Sequence, residues 1–310
     1  MGKNILNDFN THLRERFGCR VQRICIDAGL TCPNRDGAIS CGGCTFCGAE
    51  GSGRGALAGH IPIAQQIADG KVFAARRYKA GKFLAYFQSF TNTYAPCSTL
   101  CRYYTEALSD PDMVGLCIGT RPDCIDEEKL DMIAAFTPDY LVWLEYGLQS
   151  MHNRTLKAIN RGHTFEDFVR AVKLTRGRGI YVCAHVILGL PGESREDILQ
   201  TAGAIADLQI DGIKIHSLYI LEGTPMATLY RQRKYICLSR DGYVELVVDF
   251  LSRLPPDIII HRLTGDPDRS LLVAPDWTLG KQETLNRIYD ALRARPKITS
   301  HFHASIHPAW

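Results

Sequence analysis

The sequence predicts an α/β chain that folds as a partial or closed (β/α) barrel with parallel strands. Two features carry this prediction: short, nearly continuous apolar runs, and the amphipathic stretches between them. Such runs are typical of parallel strands buried on both faces, and their alternation with helices implies right-handed βαβ crossovers. Six or seven such units fit a barrel better than a short doubly wound sheet, so the chemistry is expected in the loops after the strands.

The strands are expected at the apolar runs, and several of the intervening helices have start signals. The runs are residues 21–27, 82–89, 113–120, 139–147, 181–189, 211–220 and 257–265. Asp126 precedes two glutamates, as expected where an acidic first turn meets the positive end of a helix. Thr164 with Asp167, and Ser194 with Asp197, have the spacing of a capping box.

These patterns divide the chain into a barrel and two extensions. We predict an N-terminal extension over residues 1–20, the barrel over 21–265 and a C-terminal extension over 266–310, with a further helix at 280–295. Because chain ends are commonly poorly ordered, we interpret the tail as a loosely packed terminus rather than a metal site. It contains three histidines, His301, His303 and His307.

Composition limits the classes of protein to which the chain can belong. Its 310 residues are 45% hydrophobic, with a formal net charge of +3, which is typical of a globular protein with a large core. This charge neither requires nor excludes a nucleic-acid partner. With no apolar stretch of membrane-spanning length and no apolar leader, we expect a cytoplasmic protein without a membrane partner. In that compartment, clustered cysteines indicate metal or redox chemistry rather than disulfides.

The segment CPNRDGAISCGGCTFC, residues 32–47, contains such a cluster. Cys44 and Cys47 form a C-x-x-C pair, Cys32 follows the first predicted strand, and Cys41 lies between them. Four thiolates could close a zinc site, whereas three would hold an iron–sulfur cluster with one open iron. A thioredoxin-like redox pair is disfavoured, because this chain is too long and too barrel-like. Spacing alone does not separate the cluster from zinc.

The cysteine spacing resembles that of the radical S-adenosylmethionine (radical SAM) superfamily. The pattern Cys32-x11-Cys44-x2-Cys47, with Phe46 before the last cysteine, is similar to the branch that includes the Elongator catalytic subunit. Within that branch it is closer to the small YhcC/YtqA-like group. The resemblance covers residues 18–280, and its other landmarks are AYFQSFTNTYAP (85–96), GTRPD (119–123), EYGLQS (145–150), NRGHT (160–164), HVILGLPGES (185–194) and LEGTP (221–225).

The resemblance implies a [4Fe–4S] cluster and S-adenosylmethionine (SAM) as cofactors. Cys32, Cys44 and Cys47 would ligate the cluster, and we interpret Cys41 as a bystander. Arg161 resembles the arginine that pairs with the methionine carboxylate of SAM, a role that suits a guanidinium fork. The other expected SAM contacts follow the strands; they are Gln88, Thr91, Thr120, Asp123, Gln149 and His185.

The chain departs from the family pattern at two of these places. Residues 88–92 lack the Gly-Gly-Glu-like turn that relatives have after the second strand. Gly119 stands where relatives often have a glutamate before the threonine, so Gln149 is the better candidate for the ribose. Taken singly, each of these residues has an ordinary structural explanation as a surface or core residue. Their order along the chain is what indicates a site.

The resemblance also implies a tRNA substrate. The Elongator catalytic subunit acts on the wobble uridine, and YtqA-like relatives are linked to processing of its five-position carboxymethylaminomethyl group toward aminomethyl. Two basic runs, residues 71–82 and 231–235, suit phosphate contacts with base stacking, although solvated helix faces would look the same. A reductase is the expected electron donor.

Two other functions stay open on the sequence. The first is a radical SAM enzyme acting on a small molecule or protein, and the second is a non-enzymatic zinc- or cluster-binding module. Four side chains are at strand positions that could face the reacting centre, without an assigned catalytic role: Tyr86, Lys214, His216 and Tyr219.

Overall fold

The computed structural model describes residues 5–49, 51 and 59–295. Seven parallel strands form one sheet, in the order β1-β2-β3-β4-β5-β6-β8. They are β1 (Val21–Ile26), β2 (Lys82–Phe87), β3 (Met113–Thr120), β4 (Leu141–Gln149), β5 (Tyr181–Leu188), β6 (Gly212–Ser217) and β8 (Ile259–Arg262). Each predicted apolar run overlaps one of these strands, so the strand prediction is confirmed.

The sheet is curled into a partial barrel, which confirms the predicted fold class. Lys214 on β6 donates from Nζ to the hydroxyl of Tyr86 on β2 over 3.0 Å. In the sheet, β3, β4 and β5 separate those two strands. Because neighbouring strands lie about 4.8 Å apart, a flat sheet would keep these side chains out of contact. The curl therefore encloses an interior lined by side chains from nearly every strand.

Seven of the helices contribute buried residues to the largest apolar cluster of the sheet, and the described residues form ten α-helices in all. They are α1 (Phe9–Phe17), α2 (Ile63–Tyr78), α3 (Cys97–Ala107), α4 (Glu127–Ala134), α5 (Asn153–Ala158), α6 (Phe165–Thr175), α7 (Arg195–Asp207), α8 (Pro225–Arg231), α9 (Arg240–Leu251) and α10 (Lys281–Ala294). Asp126 caps α4, and both predicted capping boxes are formed, by Thr164 with Asp167 and by Ser194 with Asp197. The helix predicted over 280–295 is α10, which packs on α9.

The run at 211–220 is the one predicted strand that the structure divides. Strand β6 ends at Ser217, and β7 (Ile220–Leu221) pairs antiparallel with β9 (Leu272–Ala274) in a second, two-stranded sheet. The sequence stays apolar past the end of β6 because Leu218 and Ile220 are also buried, in a separate apolar cluster beneath that sheet. Sequence alone does not distinguish one long buried strand from two short ones.

The barrel is closed at the end where its strands begin. The ring of Phe9 on α1 stacks on His261 with centroids 3.9 Å apart and meets the edge of Trp143 at 5.6 Å. This leaves the carboxyl ends of the strands as the accessible end. Within the described ranges, none of the helices has both the length and the apolar character that a membrane span requires. The predicted division at residues 20 and 265 stays a prediction, and the tail histidines lie outside the described residues.

Candidate active site

A cavity of about 350 Å³ opens at the carboxyl ends of the strands. One wall is the cysteine loop that follows β1, and the opposite wall is formed by β5, β6 and β8. Six of the seven residues expected to contact SAM line this cavity, namely Gln88, Thr91, Thr120, Gln149, Arg161 and His185. The three cysteines expected to ligate the cluster, Cys32, Cys44 and Cys47, line it as well.

Backbone hydrogen bonds to two other segments hold the C-x-x-C turn in place. The amide of Thr45 donates to the carbonyl of Ile159 over 2.9 Å, and the amide of Met226 donates to the carbonyl of Thr45 over 3.0 Å. The side chain of Asn160 donates to the carbonyl of Gly43 over 2.8 Å. Phe46 packs into the apolar cluster beneath β7 and β9. The turn is therefore positioned by segments far away in the sequence.

The thiols of this loop fit an iron–sulfur cluster better than a single metal ion. Cys32 and Cys44 are buried in the cavity wall, whereas Cys41 is exposed and does not line the cavity. In the part of the chain that the structure describes, no group of three His, Cys, Asp or Glu side chains is close enough to hold one metal ion. A zinc site needs four ligands around one ion. A [4Fe–4S] cluster with one open iron needs three thiolates, which is the number of loop cysteines that line the cavity.

Arg161 is buried beside the cysteines rather than solvated. Its guanidinium donates to the carbonyl of Gly147 over 2.9 Å and lies 3.6 Å from the sulfur of Cys44. Gly147 makes room for it, because an added Cβ would lie 2.6 Å from Arg161 Nη2 and 2.8 Å from Gln149 Nε2. Gln149 itself has a φ of 73°, in the left-handed region that non-glycine residues uncommonly adopt. The end of β4 is thus shaped to present Arg161 and Gln149 to the cavity.

We expect Gly147→Ala to weaken SAM binding about 10-fold or more while leaving stability nearly unchanged. The clashing atoms are the far ends of two flexible side chains, so Arg161 and Gln149 can move aside but lose their positions in the cavity. A tenfold loss corresponds to about 1.4 kcal/mol, less than one well-formed charged hydrogen bond provides. Anaerobic calorimetric titration with SAM measures the affinity. Gly203→Ala, in α7 with open space around its Cβ position, is the matched control. Equal affinities in the two variants would contradict this role of Gly147.

Asp123 is the expected SAM contact that lies outside the cavity. Its carboxylate accepts two hydrogen bonds from Arg121, at 2.9 Å and 2.7 Å. Arg121 is buried and donates to the carbonyl of Arg161 over 2.7 Å. The structure therefore places Asp123 behind the cavity wall, where it fixes the segment carrying Arg161. Thr120 does line the cavity, but its hydroxyl lies 2.6 Å from that of Thr93.

Several buried polar atoms of the cavity wall have no hydrogen-bond partner in the described structure. Thr91 Oγ1 and Gln149 Oε1 are on the side of the cysteines, and His216 Nε2 is on β6. Buried polar atoms are nearly always hydrogen-bonded in native proteins, and exceptions commonly mark a site that a ligand completes. These atoms therefore fit a cavity that receives polar molecules.

A buried ionic network around Glu145, which the sequence did not reveal, lies at the cavity floor. The Glu145 carboxylate forms an ion pair with Lys214, accepts a hydrogen bond from His185 at 2.9 Å, and lies 3.5 Å from the guanidinium of Arg23. Burial alone would raise the pKa of Glu145, but the Lys214 ammonium and the His185 hydrogen bond hold it well below its usual value. Burial lowers the pKa of Lys214 to about 8, against the opposing effect of Glu145. Both groups are therefore charged at neutral pH.

We expect the protein to lose stability as the pH falls from 7 to 5. Burial lowers the pKa of His185 to about 4 and those of His163 and His261 to about 3, whereas unfolded histidine titrates near 6.5. Below about pH 6.5 the unfolded chain binds protons that the folded chain does not, so acidification favours unfolding. The free energy of unfolding should fall by about 2 kcal/mol per histidine over this interval.

Urea unfolding at pH 7 and pH 5 measures this change. His261→Gln should reduce the pH dependence by removing one of these buried histidines. His60→Gln, at an exposed position, should leave the dependence as in the wild type. A free energy of unfolding that is equal at both pH values would contradict the expectation.

Comparisons with known proteins identify families and relatives that this chain resembles. The family model of the Radical SAM superfamily matches residues 32–205, and that of the Radical_SAM C-terminal domain matches residues 210–294. The uncharacterized protein YtqA of Bacillus subtilis is 45% identical over 92% of this chain and 89% of its own length.

Two further relatives are more distant. A tRNA uridine(34) acetyltransferase of Methanocaldococcus infernus is 27% identical over 52% of this chain and 30% of its own length. Among solved structures, Elp3 of Methanocaldococcus infernus, with an N-terminal deletion, superposes with a TM-score of 0.66 at 17% identity. That match covers 87% of this chain and 63% of that one; at this identity it supports the fold alone.

Proposed function

The chain belongs to the radical SAM superfamily, and from this premise we propose that it modifies the five-position side chain of the wobble uridine in tRNA. The proposed change is from carboxymethylaminomethyl toward aminomethyl. The observation that carries the proposal is one cavity with a cysteine wall on one side and a floor with the buried charges of Lys214 and Glu145 on the other, beside an exposed basic segment. The alternative of a non-enzymatic zinc-binding module is set aside, because members of this family are enzymes that use a [4Fe–4S] cluster and SAM.

The chain's own residues would have separate binding roles within this cavity. When bound, the cofactors supply one-electron cleavage of SAM and hydrogen abstraction, which protein side chains cannot perform. Cys32, Cys44 and Cys47 would hold the cluster and leave one iron for SAM. Arg161 would face the methionine carboxylate, and the unpartnered Gln149 Oε1 would accept a hydrogen bond from the ribose. Gln88, Thr91, Thr120 and His185 remain proposed contacts along the cavity lining.

A tRNA substrate is supported by the distant relative named for uridine 34 and by the position of one basic run. Residues 231–235 begin at the last residue of α8, and Tyr235 donates from its hydroxyl to the carbonyl of Gly189 over 2.6 Å. Gly189 directly follows β5, so this run lies at the end of the barrel where the cavity opens. Arg233 and Lys234 are exposed there, where they can contact phosphates.

The other basic run is on the opposite end of the barrel. Residues 71–82 include the end of α2 and the start of β2, and Gly81 donates from its amide to the carbonyl of Arg20, just before β1. Within it, Lys71 is paired with Asp110 and Asp112, each at 2.7 Å. The sequence-based interpretation of this run as a nucleic-acid contact is therefore less favoured than a solvated helix face.

We expect the double variant Arg233→Glu/Lys234→Glu to bind tRNA about 10-fold or more weakly than the wild type, with a smaller salt dependence. Reversing two phosphate-contacting charges removes counterion release and adds repulsion. The matched control is Arg76→Glu/Arg77→Glu, the same charge change at exposed residues on the closed end. Titration of labelled bulk tRNA at several salt concentrations measures both. Equal losses in the two double variants would remove the argument for a tRNA surface at 231–235.

The proposed reaction is tested by nucleoside analysis of tRNA from a strain that lacks the gene. Carboxymethylaminomethyl uridine should accumulate and aminomethyl-derived uridine should disappear. Purified enzyme with SAM and a reductase or chemical reductant should restore the second species in that tRNA under anaerobic conditions. An unchanged nucleoside profile in the deletion strain would contradict the proposal and favour a small-molecule or protein substrate.

A further inference from the structure

The floor of the cavity away from the cysteines has an excess of positive charge. Lys214 on β6 and Arg262 on β8 are register partners, and both line the cavity together with His216. Glu145 is the acidic side chain of the cavity lining at that depth, and its ion pairs are with Lys214 and Arg23. Asp266, also in the lining, lies 3.4 Å from Lys281. The ion pairs of the described residues thus leave Arg262 without a carboxylate.

A second observation at the same place indicates a ligand. His216 Nε2 is buried in the described structure without a hydrogen-bond partner, and its ring is 5.4 Å from that of His185. Burial, together with the nearby Arg262 charge, holds the pKa of His216 well below its ordinary value, so the ring is neutral. A neutral imidazole can still donate one hydrogen bond from Nε2.

We propose that Arg262, with His216 and Lys214, binds a carboxylate of the substrate at this floor. The assignment rests on the proposed function for the molecule that bears the group: the carboxylate is the end of the carboxymethylaminomethyl arm. A planar guanidinium fork matches a carboxylate in geometry. Arg23, Lys214 and Arg262 carry three positive charges against the single charge of Glu145, and a monoanion reduces that excess without reversing it.

The depth of the site favours a carboxylate over a phosphate of the nucleic acid. Lys214 and Glu145 are fully buried inside the curled sheet, and a sugar–phosphate backbone would remain at the mouth. A flipped base could insert only its side chain into the space next to SAM. The same charges would disfavour the aminomethyl product, whose ammonium group would meet Lys214 and Arg262. The site would therefore select substrate over product.

The test compares two nucleosides, 5-carboxymethylaminomethyluridine and 5-aminomethyluridine, for binding to the reconstituted holoenzyme with SAM under anaerobic conditions and without reductant. We expect the wild type to bind the carboxylate-bearing nucleoside at least 10-fold more tightly.

Arg262→Gln should abolish this preference, and Arg262→Lys should retain part of it. His216→Phe, which keeps a ring but removes the donor, should reduce the preference and serves as a second probe if Arg262→Gln does not fold. Arg253→Gln, at an exposed position beyond α9, is the matched control. SAM affinity should be equal in all variants.

The outcomes separate this inference from the proposed function. No preference in the wild type, or a full preference in both Arg262→Gln and His216→Phe, overturns the carboxylate site even if tRNA is modified. Loss of the preference in Arg262→Gln supports the site even if the nucleoside profile of the deletion strain is unchanged, in which case another carboxylate-bearing substrate occupies it.

Discussion

Replacing Cys44 by alanine is expected to abolish reductive cleavage of SAM and to lower the iron content from about four per chain to a small fraction of that. Cys44 is buried in the cavity wall, with its sulfur 3.6 Å from both Asn34 Nδ2 and Arg161 Nη1. In the described part of the chain, no other cysteine of the loop occupies that position. Removal of one of three ligands leaves a second iron without protein coordination. Iron analysis and detection of 5′-deoxyadenosine after anaerobic reduction measure the two effects.

Cys41→Ala is the matched control for this loss. Cys41 belongs to the same loop but is exposed and does not line the cavity, so its removal should preserve both iron and SAM cleavage. Cys32→Ala should behave like Cys44→Ala. If Cys41→Ala lost the cluster while Cys32→Ala kept it, the ligand set would be Cys41, Cys44 and Cys47, and the proposed one would be wrong.

The second large effect is expected on stability, from Glu145→Gln. The carboxylate is fully buried, and its removal leaves the ammonium of Lys214 and the guanidinium of Arg23 without a counter-charge. Breaking one side of a buried ion pair typically costs about 3–5 kcal/mol. Urea unfolding at neutral pH should show a decrease in the free energy of unfolding of that order.

An exposed ion pair provides the control for Glu145. Glu283→Gln removes the carboxylate that pairs with Arg240 and Arg287, where the Glu283 side chain is 51% exposed, and should cost about 1 kcal/mol or less. Glu145→Gln combined with Lys214→Met should recover part of the loss, because the uncompensated ammonium is removed as well. A double variant less stable than Glu145→Gln alone would show that Lys214 is stabilised by groups other than Glu145.

Features of the fold that depend on neighbours in sequence were predictable from the sequence. Apolar runs and amphipathic stretches alternate because each strand and helix must bury its own face, and all seven strands follow that pattern. Capping boxes form between residues three apart, so those of α6 and α7 were visible as well. The C-x-x-C spacing pointed to a metal centre for the same reason. The apolar run at residues 211–220 contributes to two different sheets, and its pattern did not show where one strand ends and the other begins.

Only the tertiary structure decided which polar side chains meet. The contact between Lys214 and Tyr86 joins residues 128 positions apart, and the strand pattern around Lys214 did not indicate which side chains it would meet. Curling of the sheet brings such residues together, and burial then makes each charge depend on its partners. The same curl placed one basic run at the open end of the barrel and the other at the closed end, and it placed Asp123 behind the wall. Periodicity determines which residues are buried, whereas the strand order and curvature determine what they are buried against.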